Sequence, residues 1–116
     1  MSAVDHLQPR QFVQRMMPSE LTPYAEDRTS DPGMSRNVDA LAKRITTRGY
    51  RPSMHGGMSG DTHSYPPSEP ITLVRQTGGS FLWNGNHRVA ALNRANYPRK
   101  VPVLVKDLRG GPYDSG

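Results

Sequence analysis

The sequence predicts one small α+β (α/β) domain, a mixed β-sheet flanked by two main helices. Three patterns predict it. Residues 35–48 carry apolar side chains at helical spacing, 71–83 read as a strand, a turn and a strand, and 84–105 read as a turn, a helix and a closing strand. At 116 residues the chain has room for one domain, and 34% hydrophobic residues, eleven Gly, eleven Pro and a mean hydropathy of −0.73 imply a small core with much loop. The expected domain takes residues 1–109, with its core in 35–107, an inserted flexible loop at 53–69 and a frayed tail at 110–116.

Arg10 to Met17 reads as a short helix opened by Pro9 and stopped by Pro18, and Ser19 to Pro32 as turns with one short strand. The clearest helix is Ser35 to Arg48, where Val38, Leu41, Ala42 and Ile45 share one face. Ser35 is its expected cap, Lys43, Arg44 and Arg48 complement its negative end, and Gly49 suits a left-handed stop. The stretch from Pro52 to Pro70, with Gly56-Gly57, Gly60 and Pro66-Pro67, reads as a loop.

Ile71 to Arg75 is β-branched and apolar, Gln76 to Gly79 is turn-like, and Ser80 to Trp83 resumes a strand, which makes a hairpin. Trp83, beside Leu82, is expected in the core. Asn84-Gly85 breaks the strand, and Asn84 or Asn86 is the expected cap of a helix through Val89, Leu92 and Ala95 that Asn96-Tyr97-Pro98 ends. Val101 to Val105 closes the sheet. Because Pro102 cannot donate a ladder bond, this strand belongs at an edge or has Pro102 at its start.

The absence of Cys excludes disulfides, thiolate metal ligands and cysteine nucleophiles, and fits a reducing cytoplasm. No export signal or membrane-length apolar run is present, so a cytoplasmic, unexported protein is expected. The +5 formal charge is uneven. Residues 1–33 carry three basic and five acidic side chains, whereas Asn84 to Arg109 hold Arg88, Arg94, Arg99, Lys100, Lys106 and Arg109 against Asp107 alone. Such a patch suits a polyanion, and solubility is the plainer explanation.

Asn84-Gly85-Asn86-His87-Arg88 carries the most chemistry, because it lies where a strand turns into a helix. Amides at a helix start point outward and the helix dipole adds positive charge, so an anion binds there readily. Gly85 permits close approach, Arg88 can fork onto phosphate oxygens, and His87 can donate to an anion or exchange a proton. The alternative is an ordinary helix start with solvated side chains. Arg94, Arg99 and Lys100 extend the candidate nucleic-acid surface.

Trp83 to Leu92 followed by Val101-Pro102-Val103 resembles the signature of the ParB N-terminal domain, in the ParB/sulfiredoxin superfamily. The helix ending at Gly49-Tyr50-Arg51-Pro52, the strand Ile71 to Arg75, Gly85-Asn86-His87-Arg88-Val89-Ala90-Ala91 and the strand with Val101-Pro102-Val103 occur in the family's order. The resemblance implies nucleotide phosphates held by Gly85 to Arg88, with Arg88 as the motif's arginine; in ParB the nucleotide is CTP and its turnover switches a DNA clamp. ParB has a helix-turn-helix domain after this one. Here the chain ends about ten residues past the last strand, which implies a standalone domain with an accessory role in DNA transactions of a bacteriophage or mobile element. The 53–69 insertion is a candidate lid or binding surface.

Sulfiredoxin chemistry is excluded, since Asn86 stands where that branch has its cysteine. A nucleotide-dependent kinase or NTPase using ATP, ADP or CTP with Mg2+ would need an acid, for which Glu26, Asp27, Asp61 and Glu69 are candidates. A nuclease would need a metal or base, and His87, His55 and His63 with Asp61 are the available groups. His87 is the candidate catalytic residue; no metal site is expected. The remaining class is a non-catalytic phage protein that binds a host protein through the 53–69 loop.

Overall fold

The computed structural model describes residues 10–52 and 70–114; the expected loop at 53–69, with His55, Asp61, His63 and Glu69, lies outside the described residues. In chain order the elements are β1 (Arg10–Met16), α1 (Pro18–Leu21), a 3-10 turn (Thr22–Tyr24), α2 (Pro32–Arg48), β2 (Ile71–Arg75), β3 (Phe81–Asn84), α3 (Asn86–Arg94) and β4 (Val101–Asp107). The four strands form one mixed sheet of order β1-β4-β2-β3, which gives the expected α+β class. β4 runs antiparallel to β1 and parallel to β2, and β2 pairs antiparallel with β3.

One face of the sheet carries the core. Val101, Val103 and Val105 of β4, Ile71 and Leu73 of β2, and Leu82 of β3 meet Val38, Leu41, Ala42 and Ile45 of α2 and Val89, Ala91 and Leu92 of α3. The α2 stripe is the one its periodicity predicts. Each of these side chains is at most 6% exposed, so burial, at roughly 1.5–3 kcal/mol for a large aliphatic side chain, holds the two layers together.

Four elements differ from expectation. Arg10 to Met16 is a strand, because it pairs along its whole length with β4, from Arg10 opposite Asp107 to Met16 opposite Val101. Seven residues are too few for a helix stable by itself, and the open edge of β4 offers partners to the backbone groups that face it. Pro18 therefore opens α1 instead of closing a helix, and Ser19 to Leu21 continue that helix in place of the expected turns and short strand. Glu20 accepts the Met17 amide at 3.2 Å while its own amide bonds the Met17 carbonyl at 3.0 Å. α2 begins at Pro32 under an Asp31 cap that accepts the Met34 amide at 3.0 Å, three residues before Ser35. The tail is fastened as far as Asp114, which accepts from the Thr77 amide at 2.7 Å, the Thr77 hydroxyl at 2.5 Å and the Gly110 amide at 2.9 Å.

β4 is central, and its proline fits because it lies at the strand's start. Pairing with β2 begins at Val103 opposite Ile71, so Pro102 precedes that ladder. Gly49 ends α2 with φ of 81°, the positive angle expected of a glycine stop, and its amide bonds the Ile45 carbonyl. Among the described residues no helix is long and apolar enough to cross a membrane.

At the far end of the sheet, Asp107 is buried between strand neighbours Arg10 and Arg75. Arg109 donates to it through Nε at 2.9 Å and Nη2 at 2.8 Å, and Arg10 lies 3.6 Å away. Hydrogen bonding by Arg109 is the main cause that holds this carboxyl well below the ordinary carboxylate range. A carboxyl depressed in the folded state stabilises it above the unfolded pKa and loses that contribution as pH falls through the folded value. Asp107→Asn should lower Tm by about 5 °C at pH 7, and in thermal melts the gap between variant and parent should begin to narrow below about pH 4 and close only as pH falls through the depressed folded value.

Candidate functional site

The turn from β3 into α3 is built on Gly85. Its φ of 103° and ψ of 18° put it in the left-handed region, and a Cβ there would lie 2.8 Å from Ile71 Cγ1 and 3.2 Å from Ile71 Cα. Only glycine meets both demands, so the motif's glycine seats the helix start directly on the first residue of β2. Gly85 is itself the cap and brings no side-chain acceptor to the first turn. The first intrahelical bond runs from the Val89 amide to the Gly85 carbonyl at 2.9 Å, which leaves the amides of Asn86, His87 and Arg88 outside the helical ladder.

The five motif residues occupy different environments. Neither Asn84 nor Asn86 caps α3. Asn84 ends β3 opposite Thr72, and Asn86 is the first helical residue, with its buried carboxamide oxygen accepting the Glu26 amide at 2.8 Å. His87 is half-buried. Arg88 is 5% exposed, and its Nη1 donates to the Pro52 carbonyl at 2.5 Å. The predicted phosphate fork is thus folded inward and clasps the chain where α2's trailing turn ends.

Three residues outside the motif join this helix start. Tyr50 lies beside the Arg88 guanidinium and packs edge-on against Tyr97 with ring centroids 6.0 Å apart. Burial pushes its hydroxyl pKa up, and the neighbouring Arg88 partly opposes that. Glu26 is tied to Asn86 through its backbone, and its carboxylate pairs with Arg28 Nη2 at 2.9 Å. The loop that carries them is folded around Asp27, which accepts from the Thr29 amide at 2.8 Å, the Thr29 hydroxyl at 2.7 Å and the Ser30 hydroxyl. Those hydrogen bonds, Ser30 foremost, bring the Asp27 carboxyl down to about 2.

Two buried side-chain donors among the described residues lack an acceptor: Arg28 Nε, and Tyr50 Oη, which has only the Arg88 guanidinium beside it. Both can donate. One sits beside Arg88, and the other belongs to the residue that pairs with Glu26, whose amide is held by Asn86. Buried donors of this kind are rare and costly, at roughly 1–3 kcal/mol each. No regularity of spacing could have singled out Arg28, and Tyr50 appeared in the sequence only as part of a turn.

The other basic candidates lie elsewhere. Arg94 is in the last turn of α3, roughly 12 Å along the helix from its start at 1.5 Å per residue, and is ion-paired with Asp39 of α2. It helps line a groove of about 440 Å³ with Ala42, Lys43, Thr46 and Thr47. Arg99 and Lys100 are exposed in the connection to β4, and the Lys100 carbonyl accepts Arg15 Nη2 at 3.0 Å. Trp83, expected in the core, is 64% exposed. Among the described residues no group of three or more His, Asp or Glu side chains is placed to hold a metal ion.

Gly85→Ala should cost about 2–3 kcal/mol in urea denaturation, since the new methyl meets Ile71 and the backbone is strained at positive φ.

No protein-family model, curated protein or solved structure significantly matches the chain.

Proposed function

We propose that this chain forms a ParB-like module that binds nucleotide or nucleic-acid phosphates at the start of α3, in an accessory role in DNA transactions of a phage or mobile element. One observation carries the phosphate reading: the orphaned donors Tyr50 Oη and Arg28 Nε both neighbour residues that contact the first turn of α3. A phosphate has acceptor oxygens on every side, and the dipole of the helix start favours its charge. In this reading Arg88 works from beneath, holding the Pro52 carbonyl and keeping positive charge under the anion, while half-buried His87 adds a donor.

An enzymatic reading has one specific observation in its favour. Of the acids the sequence offers, Glu26 is brought to α3 through the bond between its amide and Asn86. In that reading its carboxylate, paired here with Arg28, would take a proton from an attacking hydroxyl or help to hold Mg2+ beside a bound triphosphate. A nucleotide-dependent kinase or NTPase is therefore the second reading.

The test is calorimetric titration with CTP, ATP, ADP and a short DNA duplex, with magnesium present throughout. Saturable binding is expected, and Tyr50→Phe, which removes the orphaned hydroxyl and keeps the ring, should weaken it about tenfold without loss of thermal stability. Binding that is indifferent to Tyr50→Phe would move the site away from α3, and silence for every ligand would favour protein recognition. Phosphate release that falls with Glu26→Gln while binding persists would establish the enzymatic reading.

A further inference from the structure

The second face of the sheet, opposite the helices, carries an aromatic pair on an edge strand. β2 and β3 pair Leu73 with Leu82 and Thr72 with Asn84, so Trp83 is the extra residue of a β-bulge. Leu73 and Leu82 belong to the cluster that faces the helices, so alternation assigns Phe81, Val74 and Thr72 to the outer face, where Val74 and Thr72 are themselves buried at 6% and 0% exposed and the rings at the β3 edge are the open part. The Phe81 and Trp83 rings lie side by side with centroids 6.4 Å apart and planes 57° apart. Phe81 is 37% exposed and Trp83 64%. Two residues beyond Phe81, Trp83 shares its face by strand alternation, so the largest side chain of the chain is displayed beside it.

Charge on this face has one sign. The register runs outward from Phe81 through Val74 and Lys106 to Gln11, and the next row runs from Thr72 through Leu104 to Val13, with Arg15 opposite Pro102 beyond it. Lys106 and Arg15 are the charged residues in these rows, and Lys100 is tied to the same end through Arg15. At about 4.8 Å per strand, Lys106 lies roughly 10 Å from Phe81 and Arg15 roughly 14 Å from the β3 edge, a span over which a stacked strand lays its backbone. Asp114, at the hairpin turn, is engaged by Thr77 and Gly110.

We infer that this face binds single-stranded nucleic acid, stacking unpaired bases on Trp83 and Phe81 while Lys106, Arg15 and Lys100 track the phosphates. Stacking on exposed rings tolerates any base, and the absence of acid from the rows favours a polyanion over a neutral protein surface. A duplex hides its base faces and offers these rings nothing to stack on. The inference stands apart from the phosphate site at α3, since it uses none of that site's side chains.

Trp83 is the sole tryptophan of the chain, so its fluorescence reads the face directly. The full chain is titrated with oligothymidylate, with a duplex of equal length and with an abasic strand of equal length. Saturable quenching by oligothymidylate is expected, with little from the duplex or the abasic strand. Phe81→Ala should weaken oligothymidylate binding roughly 10- to 100-fold with the circular dichroism unchanged. Replacing Arg15 and Lys106 together by Ala should flatten the salt dependence by about two phosphates' worth. Equal quenching by the abasic strand would overturn the stacking inference in favour of a phosphate contact alone. Absence of quenching would also overturn it, and a dimer that Trp83→Leu converts to monomer would assign the face to a second copy. Tyr50→Phe separates the two sites: it should leave oligothymidylate quenching intact, whatever it does to nucleotide binding.

Discussion

The fold depends on β4 being bonded along both edges. It is parallel to β2 on one side and antiparallel to β1 on the other, and Val101, Val103 and Val105 are almost wholly buried on its inner face. Remove it and β1 has no partner, β2 keeps only a hairpin that is marginal by itself, and α2 and α3 lose the surface on which they pack. Its far end is pinned by Asp107 among Arg10, Arg75 and Arg109. Its proline survives in this central place because it precedes the β2 ladder.

The same arrangement positions the start of α3. β2 begins at Ile71, and Gly85 is pressed against it so closely that no Cβ fits. The helix therefore leaves the sheet at a fixed place, with Asn86 reaching to the loop before α2 and Arg88 to the chain after it. These two bonds gather Glu26, Arg28, Tyr50 and Pro52, distant in sequence, around one helical turn. Burying an arginine is costly unless it is hydrogen-bonded, so Arg88 spends its fork on a carbonyl and helps to order the surrounding turn. The two orphaned donors are the residue of that ordering, and they motivate the phosphate reading.

The sheet has two unlike faces. The inner one is aliphatic and covered, as a two-layer domain requires. The outer one combines a bulge-borne tryptophan, a phenylalanine and basic side chains on neighbouring strands. Edge strands usually limit unwanted pairing by being short or bulged, and β3, four residues with a bulge, is both.

The sequence by itself determined what local periodicity and turn chemistry encode: the α2 stripe of Val38, Leu41, Ala42 and Ile45, the glycine stop at Gly49, the β2–β3 hairpin, and the strand–glycine–helix turn at Gly85. Tertiary structure decided the rest, for reasons of pairing and burial. Arg10 to Met16 has no strong preference until the edge of β4 offers it a ladder. Asn86 has the composition of a cap, and became a clasp because a left-handed glycine already turned the chain and the Glu26 amide lay within reach. Arg88 reads as a free fork in one dimension and is an interior hydrogen-bond donor in three. As a large aromatic beside Leu82, Trp83 is expected in the core, but once the pairing with β2 turns Leu82 inward opposite Leu73, alternation leaves Trp83 on the outer face with Phe81.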